Sequence, residues 1–94
     1  MSINQGQIHF DRDLIKGEIT HLRTLITPQG SFEGEWSLVL REVKTIDLAG
    51  ISFLALLLRA IHADGGKPRF FGATAGVQEI LKISGLHRLA PFLV

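Results

Sequence analysis

The chain has 94 residues, no cysteine and a formal net charge of +1 at pH 7. With 46% hydrophobic and 20% charged residues, it is typical of a compact globular protein, and we expect residues 1–94 to form a single domain. The lysines and arginines are scattered, so no basic stripe predicts a nucleic-acid partner. The absence of cysteine excludes disulfides and thiolate chemistry and suits a reducing cytoplasm.

The amino-terminal segment predicts a β-hairpin and no secretory signal. "MSINQGQIHFDRD" has neither the basic region nor the apolar region of a signal peptide. "QIHF" and "LIKGEI" read as two short strands, with "DRD" between them as a tight turn. After Thr20 the spacing of leucine and isoleucine predicts a helix, which Pro28 and Gly30 make short or irregular.

The rest of the chain alternates strands and helices. "WSLVL" (36–40) is β-rich and apolar, which predicts a central strand covered on both faces. A helix is expected from Asp47 to about His62, where "ADGG" stops it, and "KPRFFG" follows as a strand. Thr74 caps a second helix that ends at Ser84, and "LHRLAPFLV" closes the chain as a short helix or a docking tail. This order favours a partly parallel α/β sheet.

The helix after Asp47 is unusually apolar. Its run from Leu48 to Leu58 contains no charge but is much shorter than the roughly 20 residues needed to cross a bilayer, so it predicts a buried helix. Asp47 is expected to cap the first turn, because its carboxylate can accept hydrogen bonds from free amides there. Catalysis would require a second titratable group, and Lys44 and Glu42 have no spacing that predicts convergence on Asp47.

Both faces of this helix carry apolar side chains. The predicted core face consists of Ile51, Leu54, Ala55, Leu58 and Ile61, and the opposite face of Ala49, Ser52, Leu56 and Arg59, with Phe53 on its flank. The outer face is too apolar for full solvation, so it is either covered by the fold or presented to another protein. Gly50, in the first turn, indicates the close approach of another chain element.

Three short motifs, in this order and spacing, resemble the STAS family, the anti-sigma factor antagonist domain. "GEIT" (Gly17 to Thr20) is similar to the family's G-E-L-D, "IDLAGI" (Ile46 to Ile51) to its D-S-S-G-L, and "KISGLHRL" (82–89) to its late S-G-L segment. The resemblance implies a small mixed sheet of four to five strands with helices packed mainly on one side. It also implies a cytoplasmic bacterial protein that regulates transcription by binding, is not an enzyme and needs no cofactor.

In the family's partner switch, the unmodified domain binds an anti-sigma factor with kinase activity, and phosphorylation of the serine after the aspartate reverses this binding. Here that position is Leu48, which has no hydroxyl group, so the usual switch cannot operate there. Ser52, one turn further, is a weaker candidate for modification against the alternative of an ordinary helix serine. The predicted partner-binding residues are Thr20, Asp47, Leu48, Ala49, Gly50, Ser52, Phe53 and Leu56.

Two other functions stay open at the level of sequence. A STAS subunit that steadies the ATPase of a phospholipid-trafficking ABC transporter would bind a different partner through the same kind of domain, and an oligomer is compatible with either function. An enzyme or ligand sensor would depend on "GATAG" (72–76), where a strand leads into a helix whose free amides could hold an anion. The four histidines have no ligand spacing, so no metal site is predicted.

Overall fold

The computed structural model describes residues 2–4, 6–19 and 32–93. Within these ranges one mixed sheet contains five strands, side by side in chain order. The strands are β1 (Ser2–Asn4), β2 (Gln7–His9), β3 (Glu35–Val39), β4 (Lys67–Phe71) and β5 (Phe92–Leu93). The first pair is antiparallel and all later pairs are parallel. The structure also describes helix α1 (Leu48–Ala63), helix α2 (Ala75–Ile83) and a 3₁₀ turn (Leu86–Arg88).

The core lies on one face of this sheet. Ile8, Leu38 and Phe70 are neighbours across three strands, and all three are fully buried. They belong to one apolar cluster that includes side chains of both helices. Ser37 and Arg69, which alternate with them, point to the other face and are partly exposed. The predicted mixed α/β sheet with helices mainly on one side is therefore confirmed.

The prediction that "WSLVL" is covered on both faces holds for only part of the strand. On the core face of β3, Trp36 and Leu38 are buried. On the opposite face Ser37 is partly exposed, whereas Val39 is 3% exposed. The second face of β3 is therefore covered at its carboxyl end and partly open at Ser37.

The chain begins with a hairpin, but not the predicted one. β2 pairs with β1, and Gly6, at φ 81°, lies between them. "LIKGEI" is not a strand: Leu14 makes an isolated parallel bridge with Ile46, and residues 16–19 are helical. The backbone of Leu14 pairs with a segment that is distant in sequence. The alternation of apolar and polar residues in "LIKGEI" therefore does not make this segment a hairpin strand. The helix predicted after Thr20 falls outside the described residues.

The later helix boundaries agree with the sequence. Asp47 and Thr74 cap α1 and α2, and the helices end at Asp64 and Ser84. The closing segment forms the 3₁₀ turn and then docks as edge strand β5, with the Phe70 N–H donating to the carbonyl of Pro91 at 2.8 Å. Among the described residues, no helix is both long and apolar enough to cross a membrane.

Candidate partner-docking surface at the Asp47 helix start

Asp47 uses both of its carboxylate oxygens to hold backbone amides. Oδ1 accepts from the N–H of Gly50 at 2.9 Å, which is the predicted N-cap bond. Oδ2 accepts from the N–H of Lys16, also at 2.9 Å. The cap is confirmed, and the second bond ties the start of α1 to a segment 31 residues earlier in the chain.

Residues 13–16 and 44–47 lie side by side as a short parallel pair, which we call the Asp47 junction. The carboxylate of Asp13 accepts from the N–H of Lys44 at 2.8 Å. The Leu14 N–H donates to the carbonyl of Thr45 at 3.2 Å, and the Asp47 N–H donates to the carbonyl of Leu14 at 3.1 Å. The junction fixes where α1 begins relative to the chain that follows β2.

The electrostatics of the junction favour the charged form of Asp47. The N–H of Gly50 and, next, the N–H of Lys16 lower the pKa of this carboxyl group from its ordinary value of 3.8. A general acid or base works best with a pKa near the working pH, and this shift is in the opposite direction. The geometry assigns Asp47 to a structural role.

Gly50 is required by the same junction. Gly50 is buried, and a Cβ atom there would collide with the carbonyl oxygen of Leu14 and the side chain of Ile46. The close approach expected from a glycine in the first helical turn is confirmed. Only a residue without a side chain lets α1 lie so near residues 13–16.

Four exposed side chains follow one line along the outside of α1. Leu48 is 77% exposed and Leu56 is 54% exposed, and Ser52 and Arg59 are exposed beside them. At 100° per residue these four positions fall within about a quarter of the helix circumference. We call this set the Leu48 stripe. The described residues leave the stripe uncovered, whereas Ala49 at its edge is partly buried.

Phe53 does not belong to the outer face, so its predicted position on the flank is wrong. It is 3% exposed and packs edge-on against Phe10, with 6.3 Å between ring centroids. Leu57, which neither predicted face included, is also buried. Because apolar residues surround most of α1, the pattern did not determine which side the sheet would cover. Phe53 and the buried Gly50 are therefore not available to a partner, and Thr20 lies outside the described residues.

The remaining chemical candidates do not converge. In the part of the chain that the structure describes, no three His, Asp or Glu side chains form a group that could hold a metal ion. At the "GATAG" junction the Thr74 hydroxyl accepts from the N–H of Val77 at 3.3 Å, and the Gln78 side chain donates to the carbonyl of Ala73. The start of α2 is thus capped by its own neighbours.

The sequence interpretation missed the residues that face Asp47 from the other side of the junction. Asp13, Leu14 and Lys16 make its hydrogen bonds, and Ile15 among them is 38% exposed. Their partners lie about 31 positions away, beyond the reach of any helix or strand period. The one weak signal in the sequence is that each segment contains an aspartate, Asp13 in the first and Asp47 in the second.

Comparison with known proteins supports the fold. No protein-family model matches the sequence, and no curated protein matches it significantly. A solved structure does match: the 1.59 Å crystal structure of a candidate anti-sigma factor antagonist from Thermotoga maritima. The match has a TM-score of 0.81 and 18% sequence identity, and it covers 97% of this chain and 81% of the other. The chain therefore has a STAS-like fold, that of an anti-sigma factor antagonist domain.

Proposed function

We propose that this chain is a non-enzymatic protein-interaction domain of the anti-sigma factor antagonist type. Its partner would be a cytoplasmic anti-sigma factor of the serine-kinase class, bound through the Leu48 stripe. The fold supports this general role. The observation that carries the proposal is Leu48 itself, a large apolar side chain 77% exposed at the start of a firmly anchored helix.

An exposed leucine alone is unremarkable on a protein surface, so the argument depends on its setting. Leu48 and Leu56 point the same way from one helix, about 12 Å apart along its axis. Burial of each side chain by a partner would contribute about 1 to 2 kcal/mol. The Asp47 junction holds the helix start in place before binding, so little conformational entropy is lost when the partner docks.

The usual serine switch is absent at this position, because leucine cannot carry a phosphate group. Leu48 instead keeps the surface apolar under all conditions, and we propose that binding is not reversed at this residue. Ser52 stays the weaker candidate for regulation: it is exposed within the stripe, so a phosphate there would place negative charge between the two leucines.

The test is direct binding to purified anti-sigma kinases encoded in the same genome, measured by calorimetry. Leu48→Glu and Leu56→Glu should each weaken binding at least about tenfold, because a carboxylate would be desolvated at the interface. Ile83→Glu is the matched control, since Ile83 is 81% exposed but lies on α2. Unchanged affinity for both stripe variants, with folding verified by circular dichroism, would contradict the proposal. Stripe-dependent binding to a transporter ATPase subunit instead would favour the alternative partner.

A further inference from the structure

We infer, resting on the proposed function, the chemistry of the partner segment: an amphipathic helix whose apolar stripe is flanked by carboxylates. The inference comes from the charges that surround the Leu48 stripe. Lys16 and Lys44 lie in the junction, where their backbone N–H groups donate to the carboxylates of Asp47 and Asp13. Arg59 lies within the stripe itself. All three side chains are exposed, and within the described ranges none of them makes an ion pair.

The nearby acidic side chains are engaged elsewhere. The carboxylates of Asp13 and Asp47 keep their charge but are held on backbone amides of the junction. Glu18 is 3.5 Å from the guanidinium of Arg12. Glu42 lies 3.9 Å from the ring of His9, a contact that is an ion pair only when that ring is protonated. The three cations around the stripe thus have no ion-pair partner among the described residues, and they favour carboxylates on a partner.

The spacing of the apolar residues limits the shape of the occupant. Leu48 and Leu56 are eight positions apart, which is about two helical turns. A partner helix packed along α1 would match them with apolar residues repeated at three- and four-residue intervals over a similar length. Carboxylates on both sides of that apolar stripe would then reach the lysines and the arginine at the rim.

Other occupants fit less well. In a symmetric dimer through this surface, the two copies of Lys16, Lys44 and Arg59 would repel each other across the interface. An anionic membrane shares the required combination of apolar and negative groups, but a flat lipid surface does not require the regular spacing of Leu48 and Leu56 on one helix. Both occupants are outcomes of the test.

The probes are two synthetic helical peptides of about 20 residues, a length at which helices can form in isolation. They share one leucine stripe and differ only in its flanks, which are glutamate in one peptide and lysine in the other. We expect the glutamate peptide to bind the full chain, to shift the NMR signals of Leu48 and Leu56, and to bind more weakly as salt rises. Lys16→Glu, Lys44→Glu and Arg59→Glu should each weaken binding about two- to fivefold, whereas Lys82→Glu on α2 should not.

Each contrary result overturns the inference. Equal affinity for the two peptides, absence of binding to both, or insensitivity to the three charge reversals would each do so. So would self-association in sedimentation equilibrium that Leu48→Glu abolishes, or binding only to phosphatidylserine vesicles. Leu48→Glu could disrupt the kinase complex while the three charge reversals leave it intact. In that case the proposed function stands, and only the inference of an acidic partner segment is wrong.

Discussion

A single carboxylate connects two distant parts of this chain. Asp47 accepts one hydrogen bond from the first turn of α1 and another from Lys16, so it is both a helix cap and a clamp on residues 13–16. The cap was predictable, because aspartate before a helix is a local signal. The clamp was not, since its donor is the main-chain amide of a residue 31 positions away, and a main-chain amide carries no mark in the sequence.

Replacement of Asp47 should therefore destabilise the fold in a pH-dependent way. Asp47→Ala should lower the melting temperature at pH 7 by about 4 to 8 °C or more, and Asp47→Asn by less, because asparagine keeps one acceptor oxygen. The folded pKa of Asp47 lies below 3.8, so its stabilising charge is present above about that pH and is lost as the pH falls through the folded value. Urea unfolding should thus show a smaller difference between wild type and Asp47→Asn at about pH 2 than at pH 7. A constant difference would contradict this account.

Gly50 gives a second prediction in which sterics and helix propensity oppose each other. Gly50→Ala gains up to about 1 kcal/mol in propensity but forces a Cβ atom against the Leu14 carbonyl. We expect a net loss of about 1 to 3 kcal/mol in the free energy of unfolding. Gly76→Ala is the matched control in α2, because open space surrounds that position, and it should be neutral or stabilising. A stabilised Gly50→Ala variant would show that the junction yields easily.

At the scale of elements, α1 shows what an apolar pattern can and cannot specify. Its ends were predicted because caps and glycines are local signals, and the structure places the helix at Leu48–Ala63. Its rotation was only partly predicted: Leu54, Leu58 and Ile61 are buried as expected, but Phe53 is also buried. Ile51 and Ala55, expected on the core face, are only partly buried against it. A helix with apolar residues on nearly every side has several rotations of similar burial, and the shape of the sheet surface decides among them.

Two truncations on this helix should separate its core face from its outer face. Phe53→Ala removes a ring that packs on Phe10 and should lower the free energy of unfolding by about 3 to 5 kcal/mol. Leu56→Ala, three residues away but 54% exposed, should cost less than about 1 kcal/mol. Chemical denaturation of both variants is the measurement, and similar losses would mean that the outer face is covered in solution.

For the whole molecule, the parallel order of β2 to β5 places the carboxyl ends of these strands along one edge of the sheet. Residues 44–47 come after β3, so the Asp47 junction lies on the connection that leads from the sheet into α1. The strand order thus determines where the Leu48 stripe lies on the molecule. The four side chains of the stripe determine what it can bind. This division fits a chain that shares its fold with a solved structure at only 18% sequence identity.

The proposed partner class allows a gain-of-function test on the intact protein. Leu48→Ser would place an exposed hydroxyl immediately after Asp47, where the family that the sequence resembles carries its phosphorylated serine. With a cognate anti-sigma kinase and ATP, mass spectrometry should detect phosphate on this variant at position 48. Leu48→Ala, which lacks a hydroxyl, is the control. Absence of modification, despite binding of the variant by the kinase, would mean that the partner uses a different docking geometry.

What the sequence determined by itself were the features set by residues close together in the chain: the two helix caps, the helix ends, the alternation of strands and helices after β2, and the apolar excess of α1. Each depends on residues within a few positions of one another, so the relevant energies are local. The tertiary structure alone decided the bridge of Leu14 to Ile46 in place of a second hairpin strand, the steric need for glycine at position 50, the burial of Phe53, and the meeting of residues 13–16 with 44–47. These depend on contacts between distant segments, whose free energy exists only once the sheet has brought them together.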